Sequence, residues 1–332
     1  MASEIKLTKD EAKKIYKDMV LVRKFEEKCA QLYSMGMILG FLHLYIGEEA
    51  VATGFNFLKN PQDSHITSYR CHGHVLLQAE IEPKIALAEL LGKGTGSSKG
   101  KGGSMHIFSK EKGFFGGNGI VGAQIPLGAG LALAHKKKND GGINVAYMGD
   151  GAYPQGQVYE AFNMASLYNL PIVFVLENNG YSMGTPLSRT YGNEKLYKDL
   201  PSRAEPFGIT TLSVDGMDVI EVIKGAKVAM EHVRSGKGAF LLEVKTYRYR
   251  GHSMSDPQKY RSKEEVDTFR NDNDPILNFE KYTLKNKLMS EDDFKAIQAE
   301  VKKVIAEAEE FAVNSAEPDA SELFNDIYAQ EN

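Results

Sequence analysis

The sequence predicts an α/β protein: a doubly wound, mostly parallel sheet with helices on both faces and a helical C-terminal tail. Three observations predict it. Ile143 to Met148 and Ile172 to Leu176 are short apolar runs of buried-strand type, and between them Val158, Phe162, Ala165 and Tyr168 share one helical face. A third apolar run, Ala239 to Val244, suits a further strand of the same sheet. At both ends of the chain the apolar residues recur at helical spacing instead.

The first element is a long amphipathic helix. Thr8-Lys9-Asp10-Glu11 matches a capping box, and Ile15, Met19, Val22, Phe25, Cys29 and Leu32 follow at helical spacing to about Tyr33. Residues Gly92 to Gly122 hold about a third of the 32 glycines, so this stretch reads as mainly loop. Ser104 to Phe108 and Phe114-Phe115 are poor composition for a flexible linker, which favours a backbone brought close to a ligand. From Ile143 the pattern becomes strand, helix, strand. Gly149-Asp150-Gly151 closes the first strand, Pro171 stops the helix, and the second strand runs into Glu177-Asn178-Asn179-Gly180-Tyr181. A βαβ unit of about thirty residues requires parallel strands and a right-handed crossover. Pro154 suits the first position of the intervening helix. Beyond Pro275 the chain turns polar: Ser290 and Asp293 form a capping-box-like start, and Phe294, Ile297, Val301, Ile305 and Ala308 keep helical spacing. The division expected is an α/β domain over 1–275 and a helical tail over 276–332 packed on it.

Composition narrows the class. Hydrophobic residues make up 42% and charged residues 25%, ordinary for a globular chain with a sizeable core. A net charge of -4 and no concentrated basic face argue against nucleic acid, and Lys136-Lys137-Lys138 reads as a solvated helix end. Only Cys29 and Cys71 are present, too few for a disulfide framework, which points to a reducing compartment. The opening segment, Met1 to Lys14, resembles neither a secretory nor a transit peptide, and nothing apolar is long enough to span a bilayer. The expectation is bacterial cytoplasm; a mature mitochondrial matrix protein reads the same way.

The chemistry is carried by two strand ends. Asp150 and Asn179 each follow a parallel strand at its carboxyl end, where open α/β sheets place ligands. A hard cation such as Mg2+ takes one or two protein oxygens and completes its shell with phosphate and water. The Tyr181 backbone carbonyl, in the next turn, is a third candidate ligand. Taken singly, Asp150 and Asn179 are common turn formers beside glycine. Together, Gly-Asp-Gly and Asn-Asn at this spacing resemble the signature of thiamine diphosphate enzymes.

Longer segments resemble a narrower family, the alpha subunits of the pyruvate dehydrogenase component of the 2-oxo acid dehydrogenase complexes. They are Gly40 to Tyr45, Tyr69 to Gly73, Lys99 to His106, Gly116 to Gln124, Gly149 to Gly156 and Thr246 to Pro257, and the likeness runs from about Leu21 to about Pro275. The resemblance implies a thiamine diphosphate-binding fold in which this chain is the magnesium-diphosphate half. It implies that Tyr69, Arg70, Gly151 and Ala152 meet the diphosphate, that Gly119 and Val121 meet the aminopyrimidine, and that Asp150, Asn179 and the Tyr181 carbonyl hold Mg2+. Guanidinium suits phosphate oxygens, which supports Arg70. His43 and His252 match family histidines near the reacting end of the cofactor, with a satisfied structural histidine as the alternative reading. It further implies a beta subunit in a two-alpha two-beta heterotetramer, pyruvate as substrate, and a lipoylated dihydrolipoyl acetyltransferase core as second partner. Tyr153-Pro154 departs from the usual small residue and asparagine of this loop, and Pro186 stands where animal relatives carry a phosphorylated serine.

Other readings are weaker. Acetoin or branched-chain 2-oxo acids are rival substrates, and a scaffold of the same fold without cofactor is a rival class. Cys71-His72-Gly73-His74 lacks a second ligand pair for zinc. Gly117-Asn118-Gly119-Ile120-Val121-Gly122 satisfies a dinucleotide fingerprint, but the strand that should precede it is missing, since Lys112 to Gly116 cannot supply one. Gly251-His252-Ser253-Met254-Ser255 lacks the closing glycine of a nucleophile elbow.

Overall fold

The computed structural model describes residues 5–328; residues 1–4 of the opening segment and 329–332 of the tail lie outside it. Thr8 starts the first helix as its side chain dictates: Oγ1 accepts from the Glu11 N–H, and the Glu11 carboxylate accepts from the Thr8 N–H at 2.8 Å. Helix α1 (Lys9–Ser34) buries the predicted stripe, and α2 (Glu49–Leu58) follows it. Strand β1 (Ser64–Ser68), the short helices α3 (His72–Leu77) and α4 (Pro83–Leu90), strand β2 (Phe114–Asn118) and helix α5 (Gln124–Lys138) lead to the predicted unit. That unit is β3 (Asn144–Gly149), α6 (Gly156–Leu167) and β4 (Ile172–Asn178), with β3 and β4 paired in parallel from Asn144–Ile172 to Gly149–Glu177. A small antiparallel pair, β5 (Tyr181–Ser182) and β6 (Thr185–Pro186), precedes the short helices α7 (Leu187–Thr190) and α8 (Glu194–Lys198). Strand β7 (Thr210–Asp215), helix α9 (Val219–Arg234) and strand β8 (Phe240–Lys245) complete the sheet, and α10 (Lys263–Asp272), α11 (Pro275–Lys285) and α12 (Glu291–Asn314) end the chain.

The sheet is six-stranded and wholly parallel, ordered β2-β1-β3-β4-β8-β7. Alternate residues of a strand face opposite sides, so the central strands β3, β4 and β8 serve two cores. Val145 and Tyr147 of β3, with Val173 and Val175 of β4, pack in the cluster that holds α1, α2, α9 and α12. Ala146, Met148, Phe174 and Leu176 join α5 and α6 on the other face. The chain is doubly wound for that reason: strands apolar on both faces need helices on both. Close approach of α5 depends on Gly128, where a Cβ would stand 2.7 Å from the Asn144 Oδ1 and 2.8 Å from the Ala146 Cβ. Ser290 and Asp293 cap α12 reciprocally, and that helix lies against α1 and α4 with Phe294, Ile297, Val301 and Ile305 buried. Lys136 to Lys138 form the exposed last turn of α5, as expected. Both cysteines are free and buried, and no helix among the described residues is long and apolar enough to cross a membrane.

Four local expectations are corrected. Phe114 to Asn118 do form a strand. β2 is an edge strand that borrows its regularity from β1, and a bulge absorbs the misfit: His65 pairs with Phe114 but Thr67 with Gly117, around Gly116 at φ +99. The dinucleotide reading still fails, because this strand contains the first two residues of the motif instead of preceding it. Residues 98–103 of the glycine-rich run serve a protein carboxylate, not a ligand: buried Glu89 accepts from the N–H groups of Ser98 (2.8 Å), Gly100 (3.0 Å), Gly102 (2.7 Å) and Gly103 (3.1 Å). Pro154 lies before the helix, not in it; Gln155 is the N-cap and its side chain accepts from the Gln157 N–H. Tyr168 is the exposed C-cap of α6 rather than part of its buried face, because the helix ends at Leu167.

Candidate active site

All strands of a parallel sheet end on the same edge, and where strand order reverses the loops diverge and leave a crevice. Here the chain steps outward from β1 to β2 on one side and from β3 to β4 on the other. A cavity of about 240 Å³ lies at that edge. Tyr69 and Arg70 reach it from the end of β1, Val121 from beyond β2, and Asp150, Gly151 and Ala152 from the end of β3. Glu177 and Asn179 come from β4, Tyr181 from the small hairpin, and Arg248 and His252 from beyond β8. The two strand-end oxygens inferred from the sequence therefore share one cavity. Gly119 and His43 do not line it: Gly119 sits beside the His106 imidazole, and His43 lies one ring further in.

Asp150 is only 1% exposed. Its Oδ1 accepts from the Gly151 N–H at 3.1 Å, while Oδ2 is buried without a partner. Burial pushes its carboxyl up to about 6, with Arg248 pulling the other way. A buried acceptor left without a donor is costly, and a cation placed there would satisfy it. Asn179 is also buried; its Nδ2 donates to the Glu48 Oε1 at 2.9 Å and its Oδ1 accepts from the Tyr181 N–H at 3.3 Å. One unpaired carboxylate oxygen, one amide oxygen and a neighbouring turn form a donor set that fits a hard divalent ion.

Arg70 brings positive charge to the same wall, but as a clamped group. Its Nη1 donates to the Leu44 carbonyl at 2.8 Å and its Nη2 to the His252 carbonyl at 2.9 Å, which aims the guanidinium and ties two loops together. Three rings meet beside it: His43 lies 4.4 Å from Tyr69, tilted, and 5.0 Å from His252, edge to face, between centroids. Burial, then the Arg70 charge, pushes His252 down to about 4 and His43 down to about 2. Both imidazoles are therefore neutral at neutral pH, and the His43 Nδ1 is buried without a partner.

Glu48, Glu177 and Arg248 line the cavity and were not singled out from the sequence. Arg248 is legible afterwards by the rule that found Asp150, since it follows the carboxyl end of β8; it donates to the Met183 carbonyl and to the Tyr260 hydroxyl, each at 2.9 Å. Glu177 accepts from the Tyr45 hydroxyl. No local pattern marks Glu48. The Cys71 to His74 run supplies no zinc site. His72 engages Glu26 and Ser104, whereas His74 turns to Gln78 and Glu177. Glu26, Cys29 and His72 do bring ligand atoms within 4.8 Å of one another, yet both Glu26 oxygens and both His72 nitrogens already have protein partners.

Fold and site together define a class: an α/β protein whose ligand crevice lies at the carboxyl edge of a parallel sheet, with an unsatisfied carboxylate and buried arginines facing one cavity. The chain belongs to the dehydrogenase E1 component family, which matches residues 17–321. Among its relatives, "Pyruvate dehydrogenase E1 component subunit alpha" of Rickettsia felis is 54% identical over 323 residues, 97% of each chain. The protein of that name from Zymomonas mobilis is 52% identical over 320 residues, 96% of this chain and 89% of the relative. The testis-specific mitochondrial form from Rattus norvegicus is 47% identical over 325 residues, 98% of this chain and 81% of the relative.

Proposed function

We propose that this chain works as the alpha subunit of a thiamine diphosphate-dependent pyruvate dehydrogenase component. The activity is the oxidative decarboxylation of pyruvate, with the acetyl unit passed to a lipoyl group. Family membership and near full-length identity of about half to relatives of that name support the activity. When bound, the thiazolium ring supplies the electron sink for loss of carbon dioxide. The residues of this chain hold, neutralise and orient.

Asp150, Asn179 and the Tyr181 carbonyl would hold Mg2+, while Tyr69, Arg70, Gly151 and Ala152 would meet the diphosphate. The observation that carries this reading is the buried, partnerless Asp150 Oδ2 in a cavity shared with Asn179. Gly119 and Val121 would present backbone groups to the aminopyrimidine. His43 and His252, neutral and in ring contact with Tyr69, would serve the reacting end, where a neutral imidazole can donate a hydrogen bond to an anionic group.

The chain would act with a beta subunit in a two-alpha two-beta assembly and deliver the acetyl unit to a lipoylated acetyltransferase core. Apolar surface at the cavity supports a partner there: Val121 and Met183 line it yet are 45% and 65% exposed, and Ile120 is 71% exposed. The test is titration calorimetry of thiamine diphosphate with Mg2+ into the chain paired with its beta subunit, followed by turnover with pyruvate, acetoin and branched 2-oxo acids. Metal-dependent binding and preference for pyruvate are expected. No binding by the pair would leave a cofactor-free scaffold as the better description.

A further inference from the structure

Glu48 and Glu49 are consecutive and both fully buried, yet they face different partners. Glu49 turns toward α1: Arg23 donates to both of its oxygens, with Nη2 at 3.0 Å from Oε2, and the Gly47 N–H also reaches it at 3.0 Å. Arg23 is in turn held by Asp274 at 3.0 Å, the residue that caps α11. The backbone under Glu48 is thereby pinned from two sides. Gly47 makes the fit possible, since its φ is +101 and a Cβ there would stand 2.1 Å from the Tyr247 carbonyl oxygen. From this fixed base Glu48 enters the cavity beside Arg70, Glu177 and Arg248, and its Oε1 accepts from the Asn179 Nδ2 at 2.9 Å.

We propose that Glu48 is a positioning residue for the metal end of the site: its carboxyl oxygen captures the nitrogen of the Asn179 amide and so dictates which way the amide oxygen faces. An asparagine amide is nearly symmetric in shape, and only its hydrogen-bond partners distinguish the two orientations. Turned over, Asn179 would set its oxygen against the Glu48 oxygen and offer NH2 to the Tyr181 N–H and to any cation. All three pairings are repulsive. Partners one step removed from a metal commonly set ligand orientation in this manner, and losing one typically weakens metal binding about 10- to 100-fold.

This inference rests on Asn179 being a metal ligand, so the experiment separates the two claims. Mg2+ is titrated calorimetrically into the chain paired with its beta subunit at saturating thiamine diphosphate, for wild type, E48M, E48Q, N179A and D150A. E48M is expected to raise the Mg2+ Kd about 10-fold or more, while kcat at saturating metal and cofactor falls much less; E48Q, which keeps an acceptor oxygen, is expected to restore the Kd to within a few fold of wild type. A wild-type Kd in E48M, alongside a weakened N179A, overturns the proposal. Unchanged Kd in N179A overturns the metal reading itself. N179D and the double variant E48Q/N179D provide a test that does not depend on E48M folding. N179D alone sets two carboxyls face to face and should bind Mg2+ poorly; adding E48Q restores a donor–acceptor pair of reversed polarity and should recover affinity. No recovery overturns the proposal.

Discussion

Asp150→Asn should make the unliganded protein more stable while it abolishes metal-dependent cofactor binding. The side chain is buried, and burial raises its carboxyl from the ordinary 3.8 to about 6. Folding therefore disfavours the ionised form. Below 3.8 both folded and unfolded states are protonated and no penalty exists; as pH rises through about 6 the folded state loses the full difference. Roughly two pKa units correspond to about 3 kcal/mol, so linkage gives a penalty of about 0.5 kcal/mol at pH 4 and about 3 kcal/mol at pH 8. Asn is isosteric, keeps an oxygen for the Gly151 N–H and carries no charge to desolvate. Urea unfolding followed by circular dichroism at both pH values measures the gain, and calorimetry with Mg2+ and thiamine diphosphate measures the loss. A variant no more stable than wild type at pH 8, or stabilised equally at both pH values, refutes the burial argument. Undiminished Mg2+-dependent binding refutes the metal assignment.

Three further outcomes are expected. In the unliganded protein, ring resonances of His252 should titrate near pH 4 and those of His43 near pH 2. Both lie below the ordinary 6.5, so the stability they contribute is present above that value and is lost as pH falls toward the lowered ones; His252→Gln should flatten this acid limb and lower kcat with little change in cofactor Kd. Gly47→Ala forces a Cβ against a backbone oxygen at positive φ, and thermal unfolding should show a loss of more than about 3 kcal/mol, with cofactor affinity falling alongside. Glu89→Ala strips the acceptor from four backbone N–H groups. At about 1–3 kcal/mol for each donor left buried, limited proteolysis within residues 92–104 should accelerate well before the sheet unfolds.

What could be read from the chain alone was whatever depends on neighbours in sequence. The capping boxes at Thr8 and Ser290, the helical stripes behind them and the β3-α6-β4 unit are local patterns, and the structure follows them. Asp150 and Asn179 were legible because parallel strands all end on one edge, which turns two sequence positions into one place. The tertiary structure alone decided what depends on distant segments. β2 is a strand because β1 offers it hydrogen bonds, and the glycine-rich run folds because Glu89 gathers its amides. Glu48 enters the cavity because Arg23, Glu49 and Gly47 hold its backbone there, and the histidines are driven neutral by burial beside Arg70. A side chain's charge and partners follow from desolvation and from groups far off in the chain, and those are set only when the layers close.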